Sequence, residues 1–111
     1  METRTEINQY DVFWVSLDPI TGSEIGKTRP CVVVSPDEMN KYLQTIIVVP
    51  LTSTIRNFPS RVTVSFDGQK GMVAIDHIRS VSKNRIGNCI GRLRVSEIEA
   101  IKKKMQEIFC D

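Results

Sequence analysis

Three uninterrupted apolar runs, Val12–Val15, Cys31–Val34 and Ile46–Val49, limit what this chain can fold into more than any other feature. Each is about the length of a buried strand segment and far short of a helix or a bilayer span. Tyr10 to Leu17 is β-branched and aromatic and stops at Asp18-Pro19, Pro30 to Ser35 has no polar face, and Thr45 to Leu51 is a further apolar run. Arg61 to Phe66 alternates, with Val62, Val64 and Phe66 on one face and Arg61, Thr63 and Ser65 on the other, solvent-facing one, as a half-buried strand does. Asp67 to Gly71 reads as a hairpin-type turn that returns into Met72 to Ile75. Asp76 to Ser82 alternates again, with His77, Arg79 and Val81 on one face; Lys83-Asn84-Arg85 is a turn and Ile86 to Leu93 a glycine-broken strand.

Helical signals are confined to two places. Pro36 to Asn40 suits a single turn with Ser35 as its cap and Pro36 at the first helical position. Near the C-terminus Ser96 and Glu99 form a capping box, after which Ile98, Ile101, Met105 and Ile108 recur at helical spacing. Lys102, Lys103 and Lys104 are then the solvated face of that helix. Short strands joined by turns, with one terminal helix, predict a mainly β fold: a small, partly open antiparallel barrel closed on one side by the helix. A doubly wound sheet needs more alternating helices.

The 111 residues suit one domain, 1–111, with one core. At 41% apolar and 25% charged residues the composition is that of a globular protein. Residues 1 to 10 are polar, expected to fray or to form an early edge, and lack the apolar centre of a secretory signal; the expectation is a cytoplasmic protein with no membrane segment. Cys31, Cys89 and Cys110 are an odd, unpaired set with a single histidine to help, which argues against a disulfide framework and a zinc site. Cys31 and Cys89 read as small core fillers, and Cys110 as partly exposed. A formal charge of +2 is too weak to diagnose a nucleic-acid binder, so the placement of the charges must decide.

Two polar stretches at the ends of buried runs are where chemistry is expected. The first is the long connection from Asp18 to Pro30, which carries Glu24, Lys27, Thr28 and Arg29; the second is Pro50 to Thr54, with Thr52 and Ser53. If they converge, the guanidinium fork of Arg29, the Lys27 ammonium and the hydroxyls of Thr28, Thr52 and Ser53 suit recognition of a phosphodiester. The clustered carboxylates that hold magnesium are absent from the two stretches, and no serine–histidine–acid arrangement is present, so no cofactor or metal is expected. The reaction that fits is attack of an RNA 2′-hydroxyl on its own adjacent phosphate, in which the protein positions groups, moves protons and stabilises the phosphorane. Arg29 is a poor base and suits electrostatic stabilisation; Glu24, Asp76 or His77 is better suited to accept a proton. Each has a plainer reading: an Arg29–Glu24 surface ion pair, a turn at Thr52-Ser53, a structural acceptor at Asp76, a satisfied partner at His77.

At these residues the chain resembles the MazF/PemK family of toxin endoribonucleases. The resemblance runs through Asp11-Val12-Phe13-Trp14-Val15, Leu17-Asp18-Pro19, Gly22-Ser23-Glu24, Thr28-Arg29-Pro30, Ser35-Pro36, Asn40, Val49-Pro50-Leu51-Thr52-Ser53, Asp76-His77-Ile78-Arg79 and the C-terminal helix. It implies an SH3-like barrel shared with CcdB, a homodimer, and sequence-specific, metal-independent cleavage of single-stranded RNA, usually mRNA, to 2′,3′-cyclic phosphate and 5′-hydroxyl ends. The family's catalytic arginine and threonine fall on Arg29 and Thr52. Glu24 and Asp76 match acidic site positions, and Lys27, Thr28, Ser53, His77 and Arg79 are the expected RNA contacts. Departures from relatives are Ser23 and Ala74, where some members have His and Arg, and His77, commonly Gln. The resemblance also implies a cognate, MazE-like antitoxin whose disordered segment lies across the dimer groove. The alternatives are a non-enzymatic gyrase poison of the CcdB type, against which the lack of a C-terminal tryptophan counts, and an RNA- or peptide-binding barrel without turnover.

Overall fold

The computed structural model describes residues 6–17 and 28–110. The connection with Glu24, Lys27 and Ser23, the first five residues and Asp111 lie outside them. The strands are β1 (Asp11–Ser16), β2 (Thr28–Val33), β3 (Thr45–Thr52), β4 (Arg61–Phe66), β5 (Gln69–Ala74), β6 (Arg79–Ser82) and β7 (Ile86–Arg92). The helices are α1 (Asp37–Tyr42) and α2 (Val95–Phe109). The strands form one antiparallel sheet in the order β4-β5-β3-β2-β1-β7, with β6 also beside β3, and it curls into a half-barrel against α2.

The apolar runs become β1, β2 and β3, the middle of the sheet, and they do not alternate because both faces of these strands are covered. On one face Val12, Val32, Val49, Val64 and Ile75 pack with Ile98 and Ile101 of α2. On the other, Phe13, Val15, Cys31, Val33, Ile46, Val48 and Val81 form a second cluster, all at most 3% exposed. The single core expected from length is therefore two clusters divided by the sheet. Trp14 departs from its run: it is 40% exposed, although Phe13 and Val15 on either side are fully buried.

Several local expectations shift, each for a physical reason. The chain is anchored before β1 rather than frayed up to residue 10: the Tyr10 N–H donates to Val33 O, and Gln9 donates from its backbone to Asp37 and from its side chain to Val34 O. Pro36 is the cap of α1 rather than its first residue, because the Ser35 hydroxyl is taken by buried bonds to Asn40 and the Ile47 N–H. Helix α2 starts after Arg94, so Ser96 is not its cap. Glu97 instead accepts the Arg94 N–H at 3.2 Å and the Ser65 N–H of β4 at 2.8 Å, which ties the helix start to the sheet. Ile98 and Ile101 are buried as the spacing predicts and Met105 packs against them, whereas Ile108 is exposed. Cys89 is exposed on the bulged edge strand β7, not a core filler, while Cys31 is one and Cys110 is exposed.

The largest difference lies at 76–82, read as one alternating strand. Residues Ile75–His77 form a 3-10 turn, and only Arg79–Ser82 continues as strand. Strands β5 and β6 follow one another along one edge of β3, pairing Leu51 with Val73 and Val48 with Arg79. Over that interval β3 advances three residues and its neighbour six, and the turn takes up the surplus. The β4–β5 hairpin is tighter than the five-residue stretch suggested, with Asp67 (φ 53°) and Gly68 (φ 76°) alone forming the turn.

Candidate functional site

Arg29 and Thr52 are brought together by strand pairing. Strands β2 and β3 pair Cys31 with Pro50 and Val33 with Val48. Arg29 and Thr52 each lie two residues beyond the last pair of that ladder, near the end of the sheet, and both line one groove. Arg29 is also paired with Val15 of β1, so it lies on the face of the second apolar cluster. Arg79, opposite Val48 on β6, projects to the same face. Burial pushes the Cys31 thiol up to about 12, and the charges of Arg29 and Arg79 both pull against that shift. Two guanidiniums thus rim an apolar floor that cannot neutralise them.

A groove of about 430 Å³ opens at this end, lined by Arg29, Thr52 and Ser53 together with Trp14, Phe66 and Lys70. Thr52 is half-buried, and its Oγ1 accepts the Thr54 N–H at 3.1 Å, which fixes the oxygen and leaves the hydroxyl proton to donate elsewhere. Ser53 and Thr28 are exposed beside it. A larger depression of about 1010 Å³ lies among residues such as Ile7, Asp37, Tyr42 and Lys83, and it contains none of the expected site residues.

Asp76 and His77 do not line the groove. Thr52 pairs with Met72, and Asp76 follows four residues later, past the end of β5, which is roughly 10 Å further along the sheet. There Asp76 receives two bonds from Arg61, Nε to Oδ1 at 2.9 Å and Nη2 to Oδ2 at 3.2 Å, and one from the Ser60 hydroxyl at 2.9 Å. His77 Nε2 lies 3.4 Å from Oδ2, with its ring largely exposed. The bond from Arg61 is the main reason that the Asp76 carboxyl falls to about 2, with partial burial opposing it. The folded value is below the ordinary 3.8, so this interaction stabilises the fold above pH 3.8 and is lost as pH falls toward about 2. The urea midpoint of the parent protein is expected to exceed that of Asp76→Asn at pH 7, and the two to converge as pH is lowered through that window.

Sequence reasoning missed Trp14, Phe66, Gln69 and Lys70 as groove residues. The Asp67-Gly68 turn was readable, but that its hairpin stands over Thr52 depends on the β3–β5 pairing. Arg61 was placed on a solvent face by alternation, yet its side chain is only 9% exposed because Asp76 holds it. Among the described residues no group of three or more His, Cys, Asp or Glu side chains converges as a metal site, and no helix is long and apolar enough to cross a membrane.

Comparison with known proteins gives a consistent picture. Residues 8–109 match the family described as PemK-like, MazF-like toxin of type II toxin–antitoxin system. The chain is 31% identical over 100 residues to the endoribonuclease toxin MazF of Escherichia coli K12, spanning 89% of this chain and 90% of that one. It is 32% identical over 104 residues to the endoribonuclease MazF of Staphylococcus saprophyticus, spanning 88% and 81% respectively. Its fold superposes on the MazE–MazF crystal structure (Form-II) from Deinococcus radiodurans with a TM-score of 0.83 at 24% identity, covering 95% of this chain and 96% of that one.

Proposed function

The chain belongs to the PemK-like, MazF-like toxins of type II toxin–antitoxin systems, and we propose that its groove cleaves single-stranded RNA at specific sequences without a metal. The convergence of Arg29 and Thr52 on one groove, with further hydroxyl and cationic groups, is the observation that carries this reading. The relatives named above are endoribonucleases, and a guanidinium and a hydroxyl side by side suit stabilisation of the charge that 2′-hydroxyl attack builds on the phosphate.

In the reaction, O2′ of one nucleotide forms a bond to its own 3′-phosphorus and the P–O5′ bond to the next nucleotide breaks. The proton leaves O2′ for a base on the protein, and O5′ departs as a hydroxyl after taking up a proton. Arg29 binds two phosphate oxygens through its fork and offsets the charge that builds on the phosphorane. Thr52, with its oxygen fixed by the Thr54 N–H, donates its proton to a phosphate oxygen. Lys27, Thr28, Ser53, His77 and Arg79 bind flanking nucleotides. Glu24, Asp76 and His77 are the candidate proton acceptors, and Asp76 and His77 stand outside the groove, beyond direct reach of an O2′ held at Thr52. Of these, a carboxylate whose pKa is held near 2, as that of Asp76 is, accepts a proton poorly at neutral pH. In this reading the toxin works in the cytoplasm as a homodimer, and an antitoxin segment covers the groove, in keeping with the MazE–MazF assembly of the superposed structure.

The test is incubation of the antitoxin-free protein with a long single-stranded RNA in EDTA, followed by mapping of the cuts and their ends. Cuts at a short recurring sequence, with cyclic phosphate on one side and a 5′-hydroxyl on the other, are expected. Intact RNA overturns the reading in favour of a barrel that binds without turnover, and cleavage that stops in EDTA overturns its metal independence.

A further inference from the structure

Phe58 is an exposed aromatic side chain with no part in either apolar cluster. It is half exposed, on the loop that leaves Thr52, and one face of its ring is backed by the Arg61 guanidinium, whose carbon lies 5.1 Å from the ring centroid. That guanidinium is held in place. Its two bonds to Asp76 fix its plane, the Arg61 N–H donates to Phe58 O at 3.1 Å, and the Ile75 N–H donates to Ser60 O at 3.2 Å. The end of the loop is thereby bound to the 3-10 turn by backbone and side chain together.

Fixing an aromatic ring outside the core does nothing for the packing of either cluster. A ring with a cation behind it and an open front is what an unstacked base binds, since stacking on aromatic faces is how single-stranded RNA is commonly held. The charges nearby favour nucleic acid: the Asp76 carboxylate is offset by Arg61, and Arg56 and His77 are exposed on the same loop and turn. Phe58 stands outside the groove, beside the Asp76 turn and roughly 10 Å along the sheet from Thr52, so a strand with its reacting phosphate at Arg29 and Thr52 reaches the ring with a nucleotide beyond the groove.

We propose that Phe58 is a nucleobase platform that sets which base is accepted at a position flanking the cut, outside the groove, and that Arg61 and Asp76 are positioning residues acting through it. This rests on the ribonuclease reading above.

The experiment maps the cuts made in one long RNA by the parent protein and by Phe58→Ala, Phe58→Tyr and Asp76→Asn, with kcat and KM measured on a short RNA carrying the parent's preferred site. Phe58→Ala is expected to lower kcat/KM at that site by roughly tenfold, mainly through KM, and to broaden the base found at one flanking position. Phe58→Tyr, which keeps the ring, is expected to restore both. Asp76→Asn is expected to broaden the same position by a smaller amount. A Phe58→Ala protein with the parent's cut pattern and KM overturns the inference, and overturns it in favour of a protein-binding ring if that variant instead escapes its antitoxin. A uniform fall in kcat at every site in Asp76→Asn, with the pattern kept, overturns the positioning role and makes Asp76 part of the chemistry. If the parent protein cuts no RNA, the ribonuclease reading itself fails, and this inference with it.

Discussion

Replacing Arg29 by alanine is expected to lower the rate of RNA cleavage by on the order of a hundredfold or more while the protein stays folded. In the proposed reaction Arg29, which lines the groove with Thr52, offsets the charge that builds on the phosphorane. The side chain is half-buried at the rim, and the residues beneath it, Val15 and Cys31, are already fully covered by the second cluster, so truncation opens no large cavity. The loss is expected in kcat, measured by single-turnover cleavage, with a smaller change in affinity for an uncleavable RNA in which the attacking 2′-hydroxyl is removed. Arg29→Lys keeps the charge but not the fork and is expected to fall between the two. A variant that binds more weakly yet cuts at the parent's rate would remove Arg29 from the transition state and leave it a phosphate anchor.

How much of this could be read beforehand depends on whether a property is local. The strands β1 to β3 were legible because a run such as Cys-Val-Val-Val has one stable use, burial on both faces. That the two faces form separate clusters was not, because it depends on which strands flank them and where α2 docks. The alternation from Asp76 to Ser82 fitted a strand template, but β3 has only three residues to offer over a stretch where its neighbour has six, and no residue in the segment announces that mismatch. Cys89 sits among residues that look internal, and it is exposed because β7 is an edge paired only with β1. At the site, Arg29 and Thr52 stood out as polar residues ending buried runs. Lys70 and Phe66 enter the groove only because the hairpin folds over Thr52, a pairing between residues about twenty apart in the chain that no spacing in the sequence reveals. The role of Arg61 was hidden for the same reason: its partner lies across the sheet, on a turn that was itself unexpected.

The hairpin also explains a glycine, and with it the second large effect. A methyl group added to Gly71 would lie 2.9 Å from the backbone carbonyl oxygen of Thr52, closer than real contacts allow. Strand β5 meets β3 at Met72 opposite Thr52, and Gly71 is the next residue, so the close approach comes from the pairing that holds Thr52 in place. Neither side of the contact is a flexible side-chain end, so in Gly71→Ala the backbone must move, either in the hairpin or at Thr52. A shift of about 1 Å in a catalytic group can cost on the order of a hundredfold in rate, and that is the expected fall in kcat. Overpacking is expected to lower stability by about 1–3 kcal/mol as well, a loss that a denaturation curve separates from the rate. The decisive comparison is a double-mutant cycle with Thr52→Ala. If Gly71 acts by holding the Thr52 hydroxyl, then Gly71→Ala adds little to the loss already caused by Thr52→Ala, because the group it would misplace is gone. Losses that multiply in the double variant would instead show that the methyl group disturbs another part of the groove, with the Lys70 side chain next to it the first to examine.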